Sequence, residues 1–157
     1  MSKLRTFPEV TGQNLLGETI TIPSQLQGKL NLLVVAFQQW HIRLIASWVP
    51  FLEELVTHHP DIQYYEIPTL RKFNFLSRKI IDSGMRGGIP SPEMRARTIT
   101  LYIDKSAFDQ ALEILNEETI YLFLVDCDGK ILWRDQDSYS TEKGKAIQNA
   151  ISQFKSQ

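Results

Sequence analysis

The run Leu30–Phe37 (LNLLVVAF) constrains the fold more than any other feature, because Asn31 is its only polar residue. A strand this apolar has no face for water, so it is typical of a parallel or mixed sheet covered by helices on both sides. A chain of 157 residues, 43% of them hydrophobic, has room for one such core, whereas two independent cores would be cramped. We therefore predict a single α/β domain over residues 1–157.

The remaining patterns alternate between strand and helix. Apolar or alternating runs between turn residues predict strands at Glu18–Ile22, Gln63–Ile67 (stopped by Pro68), Thr98–Ile103, Ile120–Val125 and Lys130–Trp133. Helical spacing and capping residues predict a kinked helix around Pro50, a helix at Arg71–Gly84, one starting at Ser106 with a stripe reaching Leu115, and one capped by Thr141. The Gly- and Pro-rich segment Met85–Arg97 is predicted to be a loop.

This order of elements, closed by a strand and an Asp128-Gly129 hairpin, resembles the thioredoxin-like fold in its peroxiredoxin and TlpA-like form. The opening Phe7-Pro8 and the stretch Leu26–Lys29 before the first long strand are similar to the entrance of those domains. The resemblance implies a central mixed β-sheet flanked by helices, and it does not by itself fix a function.

The redox-active relatives carry W-C-x-x-C on the first turn of the helix that follows the long strand. Aligning Ala36–Leu55 on that pattern without a gap places the two cysteine positions at Ile42 and Ile45, and the usual cis-proline position near Ile120. Isoleucine can neither ionise nor form a mixed disulfide. The resemblance therefore implies a thioredoxin-like protein without redox chemistry and without a catalytic residue at this site.

A narrower resemblance rests on short pieces along the chain: Tyr65–Pro68, Met85-Arg86, Arg95–Thr98, Tyr102–Asp104, Ile120-Tyr121, Asp126–Gly129, Ile131–Trp133 and Glu142. Together they resemble a mitochondrial assembly-chaperone family, with bacterial relatives, that helps mature a membrane subunit of the F-type ATP synthase. This resemblance implies a protein-binding assembly or chaperone factor for a membrane protein complex.

The single cysteine, Cys127, excludes an internal disulfide, a cysteine-rich zinc site and a dithiol reaction within one chain. Its neighbours Asp126 and Asp128 disfavour a thiolate. The alternative hypothesis that it leaves open is a single-cysteine thiol peroxidase or thiol transferase.

Charge is distributed unevenly. The segment from Arg71 to Lys105 contains eight basic and three acidic residues, a net charge of +5. The rest of the chain contains nine basic and fifteen acidic residues, a net charge of −6. We predict that Arg86, Arg95 and Arg97 of this region are exposed, that their replacement barely alters folding stability, and that they bind carboxylates of a partner. The alternative is a small-anion or nucleotide binder at Gly84–Pro90, although that loop matches neither common phosphate-binding motif.

Trp40 and Trp48 flank the former dithiol positions, and each could belong to the core or to a binding patch. His41 lies beside the same positions, so Trp40 and His41 are candidate partner-binding residues, with a structural role as the alternative for His41. We predict no metal site and no cofactor, because the three histidines are poorly spaced. A net charge of −1 argues against nucleic acid, and no apolar run is long enough to span a membrane, although peripheral contact stays open. With no secretory signal at the start, we expect the bacterial cytoplasm, or an organelle if a targeting segment was removed.

Overall fold

The structure is a computed structural model that describes residues 5–71 and 91–157, without the side chain of Arg71. Arg71 is the last residue of a strand, so the predicted helix at Arg71–Gly84 does not begin there. The rest of that prediction, Arg86 and the glycine-rich segment Gly84–Pro90 lie outside the described residues.

A mixed sheet of seven strands forms the centre of the described part of the chain, in the order β2-β1-β5-β4-β3-β6-β7. The parallel strands β3, β4 and β5 lie in the middle, and β1, β2, β6 and β7 join antiparallel at the two sides. The predicted central mixed sheet is confirmed. The strands are β1 (Val10–Asn14), β2 (Thr19–Ile22), β3 (Leu30–Ala36), β4 (Ile62–Arg71), β5 (Ile99–Ile103), β6 (Tyr121–Asp126) and β7 (Ile131–Gln136).

Helices cover both faces, as the uniformly buried β3 requires. Alternate side chains of β3 belong to two hydrophobic clusters, one packed against α1 and α4 and the other against α3. Burial of these clusters is the main stabilising contribution, at about 25 cal/mol per Å² of apolar surface. The helices are a 3₁₀ turn (Gln39–His41), α1 (Ile42–His58, with Pro50 inside), α2 (Pro92–Arg97), α3 (Lys105–Ala111) and α4 (Thr141–Lys155).

Two differences from the predicted strands have local causes. Strand β1 was not predicted, since VTGQN contains only one large apolar residue and its Gly12 packs directly against the backbone of Thr100. Strand β4 continues through Pro68, where we predicted its end. The β4–β5 pairing is interrupted between the Glu66–Thr98 bridge and the Thr69–Leu101 pair, where Pro68 has no N–H to donate.

The predicted helix boundaries also need correction. Helix α3 is capped by Asp104, whose side chain accepts from the Ser106 N–H, and it ends at Ala111, so Leu115 lies beyond it. Ser140, not Thr141, caps α4 by accepting from the Lys143 N–H. The last part of the predicted loop is the short helix α2.

Candidate functional site

The chain turns sharply between the end of β3 and the start of α1, and this turn leads into Ile42 and Ile45, the positions where we predicted the former dithiol. Ile42 is the first residue of α1 and is 66% exposed, whereas Ile45, one turn later, is 7% exposed. Trp40 precedes them and is 47% exposed. An apolar surface without a thiol therefore occupies the N-terminus of α1.

His41 lies beneath this surface and is completely buried. Its Nδ1 accepts hydrogen bonds from the backbone N–H groups of Phe37 (3.1 Å) and Gln38 (3.3 Å), and its ring packs edge-on against Trp40 at 4.5 Å. An Nδ1 that accepts two bonds carries no proton, so the proton of the neutral ring is on Nε2. We predicted that His41 binds a partner, but a buried ring offers no surface. Its contacts indicate a positioning role.

Burial of His41 favours its neutral ring. Desolvation lowers the pKa of His41, while the Glu118 carbonyl and the carboxylates of Glu118 and Glu117 oppose that effect. The Glu118 carbonyl is close enough to act on the ring, but the buried Nε2 makes no hydrogen bond of good geometry with the described residues. Protonation of Nδ1 would also break both backbone contacts, so the neutral ring is the form that this fold accommodates.

Residues 112–120, which we name the 112–120 loop, lie beside the same turn. Gln38 connects the two: its Nε2 donates to the Glu117 carbonyl at 2.6 Å, and its Oε1 accepts from the Trp40 indole at 3.0 Å. Leu115 of this loop is 94% exposed. We name Trp40, Ile42 and Leu115 the apolar patch.

Hydrogen bonds other than those of Gln38 also hold the 112–120 loop. The Tyr121 hydroxyl donates to the Asn116 carbonyl at 2.7 Å, and the Thr119 hydroxyl donates to Asp137 at 2.7 Å. Sequence reasoning missed this loop because Leu115 continues the helical spacing of α3. The signal that could have found it is the polar run Asn116–Thr119, which follows Leu115 directly.

A cluster of three charged side chains joins this loop to α3. Lys105 Nζ lies 2.6 Å from Glu117 Oε1 and 5.8 Å from the centre of the Phe37 ring. Asp109 is four residues after Lys105, which places the two on one side of α3. Burial, the hydrogen bond to Glu117 and the charge of Glu117 raise the pKa of Asp109 to about 7, with Lys105 opposing.

Arg97 lies in a second, internal network. Its guanidinium is 4.7 Å from the centre of the Tyr64 ring, and its Nη1 is 3.4 Å from Glu53 Oε1. The Tyr64 hydroxyl donates to the same Glu53 oxygen at 2.8 Å. Burial raises the pKa of Glu66, and the charge of Arg97 opposes it. The expectation that Arg97 is exposed needs correction, because only 20% of its side chain is accessible and Arg97 holds α2 against α1 and β4.

The sequence-predicted site residues therefore form separate groups. Glu53 is eleven residues after Ile42, which is about 16 Å along α1. Trp40, His41, Ile42 and Ile45 lie together at the helix start. Arg95, which is partly buried and contacts other residues, lies with Arg97 on α2.

Other predicted features lie elsewhere or are already paired. Cys127 is exposed in the β6–β7 turn. Asp126 pairs with Leu30 at the start of β3, whereas Ile42 follows the end of β3, so about 20 Å of strand separates Cys127 from the patch. Lys105 and Arg97, two of the basic residues from Arg71 to Lys105, form ion pairs within the fold.

The described residues hold neither a metal-binding cluster nor a membrane-spanning helix. Within residues 5–71 and 91–157, no three His, Cys, Asp or Glu side chains are arranged to hold a metal ion. The helices of those ranges are too short or too polar to cross a membrane.

The fold is similar to those of solved thioredoxin-like proteins. BsSco, of the Sco family of cytochrome c oxidase assembly proteins, matches with a TM-score of 0.64 and 15% identity over 95% of this chain and 93% of that one. The thioredoxin domain of a thiol-disulfide oxidoreductase from Bacteroides vulgatus matches with a TM-score of 0.57 and 15% identity, over 95% of this chain and 97% of that one. The lipoprotein thioredoxin Etrx1 from Streptococcus pneumoniae matches with a TM-score of 0.57 and 14% identity, over 92% of this chain and 99% of that one. Identities this low show the fold alone, and they confirm the predicted thioredoxin-like architecture.

Comparison at the level of sequence is more specific. No individual curated protein matches this chain. The family model of the ATP10 protein, by contrast, matches residues 2–153, nearly the full length. That match confirms the resemblance drawn from the short motifs. The chain belongs to the ATP10 protein family, whose members are assembly factors of the ATP synthase.

Proposed function

We propose that this protein is a redox-inactive, thioredoxin-like assembly factor that binds a protein partner through the apolar patch, and that its client is a membrane-complex subunit, with the ATP synthase as the favoured complex. The observation that carries the proposal is the exposed Ile42 at the start of α1, where a redox-active relative would have its attacking thiol. Without that thiol the site has no covalent chemistry to offer, but it can still bury apolar surface.

The grouping of the exposed apolar side chains supports a role in protein binding. Scattered exposed apolar residues need no explanation, but Trp40 and Ile42 are near neighbours in the chain, and Gln38 connects Trp40 to the loop that carries Leu115. Aromatic residues are enriched at the centres of protein interfaces. The Gln38 bridge also fixes the Trp40 indole before any partner arrives, which reduces the entropy lost on binding.

The family supports the choice of complex. ATP10 proteins act in ATP synthase assembly, and a partner from a membrane complex fits a patch suited to apolar surface. The two arginines of α2 fit a secondary role at most, since Arg97 is already paired with Glu53. The contribution of Arg86 and the cytoplasmic location predicted from the sequence both stay predictions.

Site-specific crosslinking tests the proposal directly. A photo-crosslinking phenylalanine would replace Ile42 in cells, and a second strain would carry it at Gln153, an exposed position on α4. We expect ATP synthase subunits crosslinked from position 42 after membrane solubilisation and absent from position 153. Equal crosslinking from both positions, or none from position 42 while the protein remains folded, would contradict the proposal.

A further inference from the structure

The cluster of Lys105, Asp109 and Glu117 has a charge balance that depends on one proton. With that proton on Asp109, two carboxyl groups and one ammonium group sum to zero. Without it, the cluster carries one uncompensated negative charge. Asp109 Oδ1 is buried and accepts no hydrogen bond from the described residues, so this extra charge would have little to stabilise it.

The same cluster holds the 112–120 loop in place. The Lys105–Glu117 contact of 2.6 Å ties the loop to α3, and the Glu117 carbonyl accepts from Gln38, which also holds the Trp40 indole. A displacement of Glu117 therefore alters the contacts of Gln38 and, through them, of Trp40. Glu117 therefore connects the cluster, through its carboxylate, to Gln38 and Trp40 of the turn, through its backbone carbonyl.

From this connection we infer that Lys105, Asp109 and Glu117 form a proton-dependent latch, which holds the 112–120 loop against Gln38 and Trp40 while one proton is bound and loosens the loop when that proton leaves. The apolar patch is then presented in its ordered form only while the latch is closed. The inference relies on the proposed function only for the meaning of the patch, because the latch can be tested without a partner.

The groups that face the cluster set the direction of the response. Glu117, from the loop, favours the protonated Asp109, and Lys105, from the same helix, opposes it. Tyr121 of β6 also lies near the cluster, because the charges of Asp109, Asp137 and Arg134 act on the pKa of its hydroxyl. His41 lies close enough to Glu117 for that carboxylate to act on the pKa of the imidazole. Because the pKa of Asp109 is raised to about 7, the latch would open between about pH 6 and pH 8.

Fluorine NMR of the full chain labelled with 5-fluorotryptophan tests this inference. Trp40→Phe assigns the Trp40 signal, and the Trp48 and Trp133 signals report whether each variant is folded. We expect the Trp40 signal of the wild type to shift with a midpoint near pH 7, and Asp109→Asn to abolish that shift. Glu113→Gln, which removes an exposed carboxylate from the same loop, is the matched control and should retain it.

One more variant keeps the test decisive. Glu117→Gln removes the second carboxyl, keeps an acceptor for Lys105, and should lower the midpoint. A Trp40 signal that does not respond between pH 5.5 and 8.5, or a midpoint near 7 that persists in folded Asp109→Asn, would overturn the inference. A transition that is lost only in His41→Asn would assign the response to His41 and overturn it as well. None of these outcomes depends on whether a partner is captured.

Discussion

At the scale of single residues, isoleucine at both former dithiol positions changes what the start of α1 can do. A helix N-terminus lowers the pKa of a thiol placed there, because its free N–H groups and dipole favour the thiolate. The same helix start gives no such advantage to an aliphatic side chain. If the register is right, the exposed Ile42 and the buried Ile45 leave an apolar surface where a redox-active relative has its nucleophile.

The alignment of the dithiol can be tested by restoring it. Positions three residues apart on the first turn of a helix have their Cα atoms within the limit of about 7 Å for a disulfide. In a Cys127→Ser background, Ile42→Cys/Ile45→Cys should therefore form an internal disulfide under mild oxidation, detected by mass spectrometry. A folded double variant that keeps two free thiols would show that the register is wrong.

His41 leads to a prediction about stability and pH. His41→Ala leaves the Phe37 and Gln38 N–H groups without their acceptor and should lower the free energy of unfolding by about 2 kcal/mol. His41→Asn, which retains a side-chain acceptor, should cost less. Chemical denaturation at pH 7.5 measures both changes.

The sign of the pH effect follows from the lowered pKa of His41. Below about pH 6.5 the unfolded chain binds a proton that the folded ring does not, so this contribution to stability is complete above pH 6.5 and is lost as the pH falls. His41→Ala removes the titrating ring, so its cost should be smaller at pH 5 than at pH 7.5. An equal cost at both values would show that His41 titrates normally in the folded state.

At the scale of elements, α2 shows how much a single side chain can contribute to holding a short helix. With six residues, α2 is too short to be stable by itself. Arg97 attaches it to Glu53 of α1 and to the face of Tyr64 on β4. The basic segment of the sequence thus contributes to packing, and its charge is partly neutralised inside the fold.

This attachment predicts that Arg97 matters more for stability than for steering a partner. Arg97→Glu places a third carboxylate beside Glu53 and Glu66, and it should lower the free energy of unfolding by about 2 kcal/mol or more. Arg43→Glu reverses the charge of an exposed arginine on α1 and should change stability by less than about 0.5 kcal/mol. Thermal melts of both variants compare the two positions. If the variants melt at the same temperature, Arg97 is not part of a stabilising network.

At the scale of the whole molecule, one thioredoxin-like sheet separates the chain's single thiol from the site where the fold would use it. Cys127 lies in the β6–β7 turn, next to Asp126, which pairs with the start of β3. The helix N-terminus that would activate a thiol follows the opposite end of β3. This distance argues against the alternative of a single-cysteine enzyme that uses the usual thioredoxin site. It leaves binding as the function that the architecture supports best.

The absence of a dithiol predicts no turnover in two assays. Reduction of insulin disulfides should equal the rate of a Cys127→Ser control, because Ile42 and Ile45 cannot form a mixed disulfide. Consumption of hydrogen peroxide should also equal that of the control, because Cys127 lies far from the helix N-terminus that would activate a thiol. The Ile42→Cys/Ile45→Cys variant is the positive comparison, since it restores the pattern on the same fold. Peroxide consumption that depends on Cys127 would instead favour the enzymatic alternative.

The sequence by itself determined the layered architecture, because an apolar run such as Leu30–Phe37 can be buried only between two layers of helices. It also determined the loss of the dithiol, since residue identity alone decides whether a position can carry a thiol. The family could be recognised from short motifs because a motif, too, is defined by residue identities and their spacing. These properties depend on residue type or on local periodicity, which a sequence displays directly.

Only the tertiary structure decided which side chains meet. Trp40 and Trp48 are alike in the sequence, yet Trp48 is buried in the core and Trp40 is 47% exposed. The pairings of Arg97 with Glu53 and of Lys105 with Glu117 join residues 44 and 12 positions apart, and neither has a local signature. Such contacts depend on how helices are placed on the sheet, and that placement results from the packing of all the layers together.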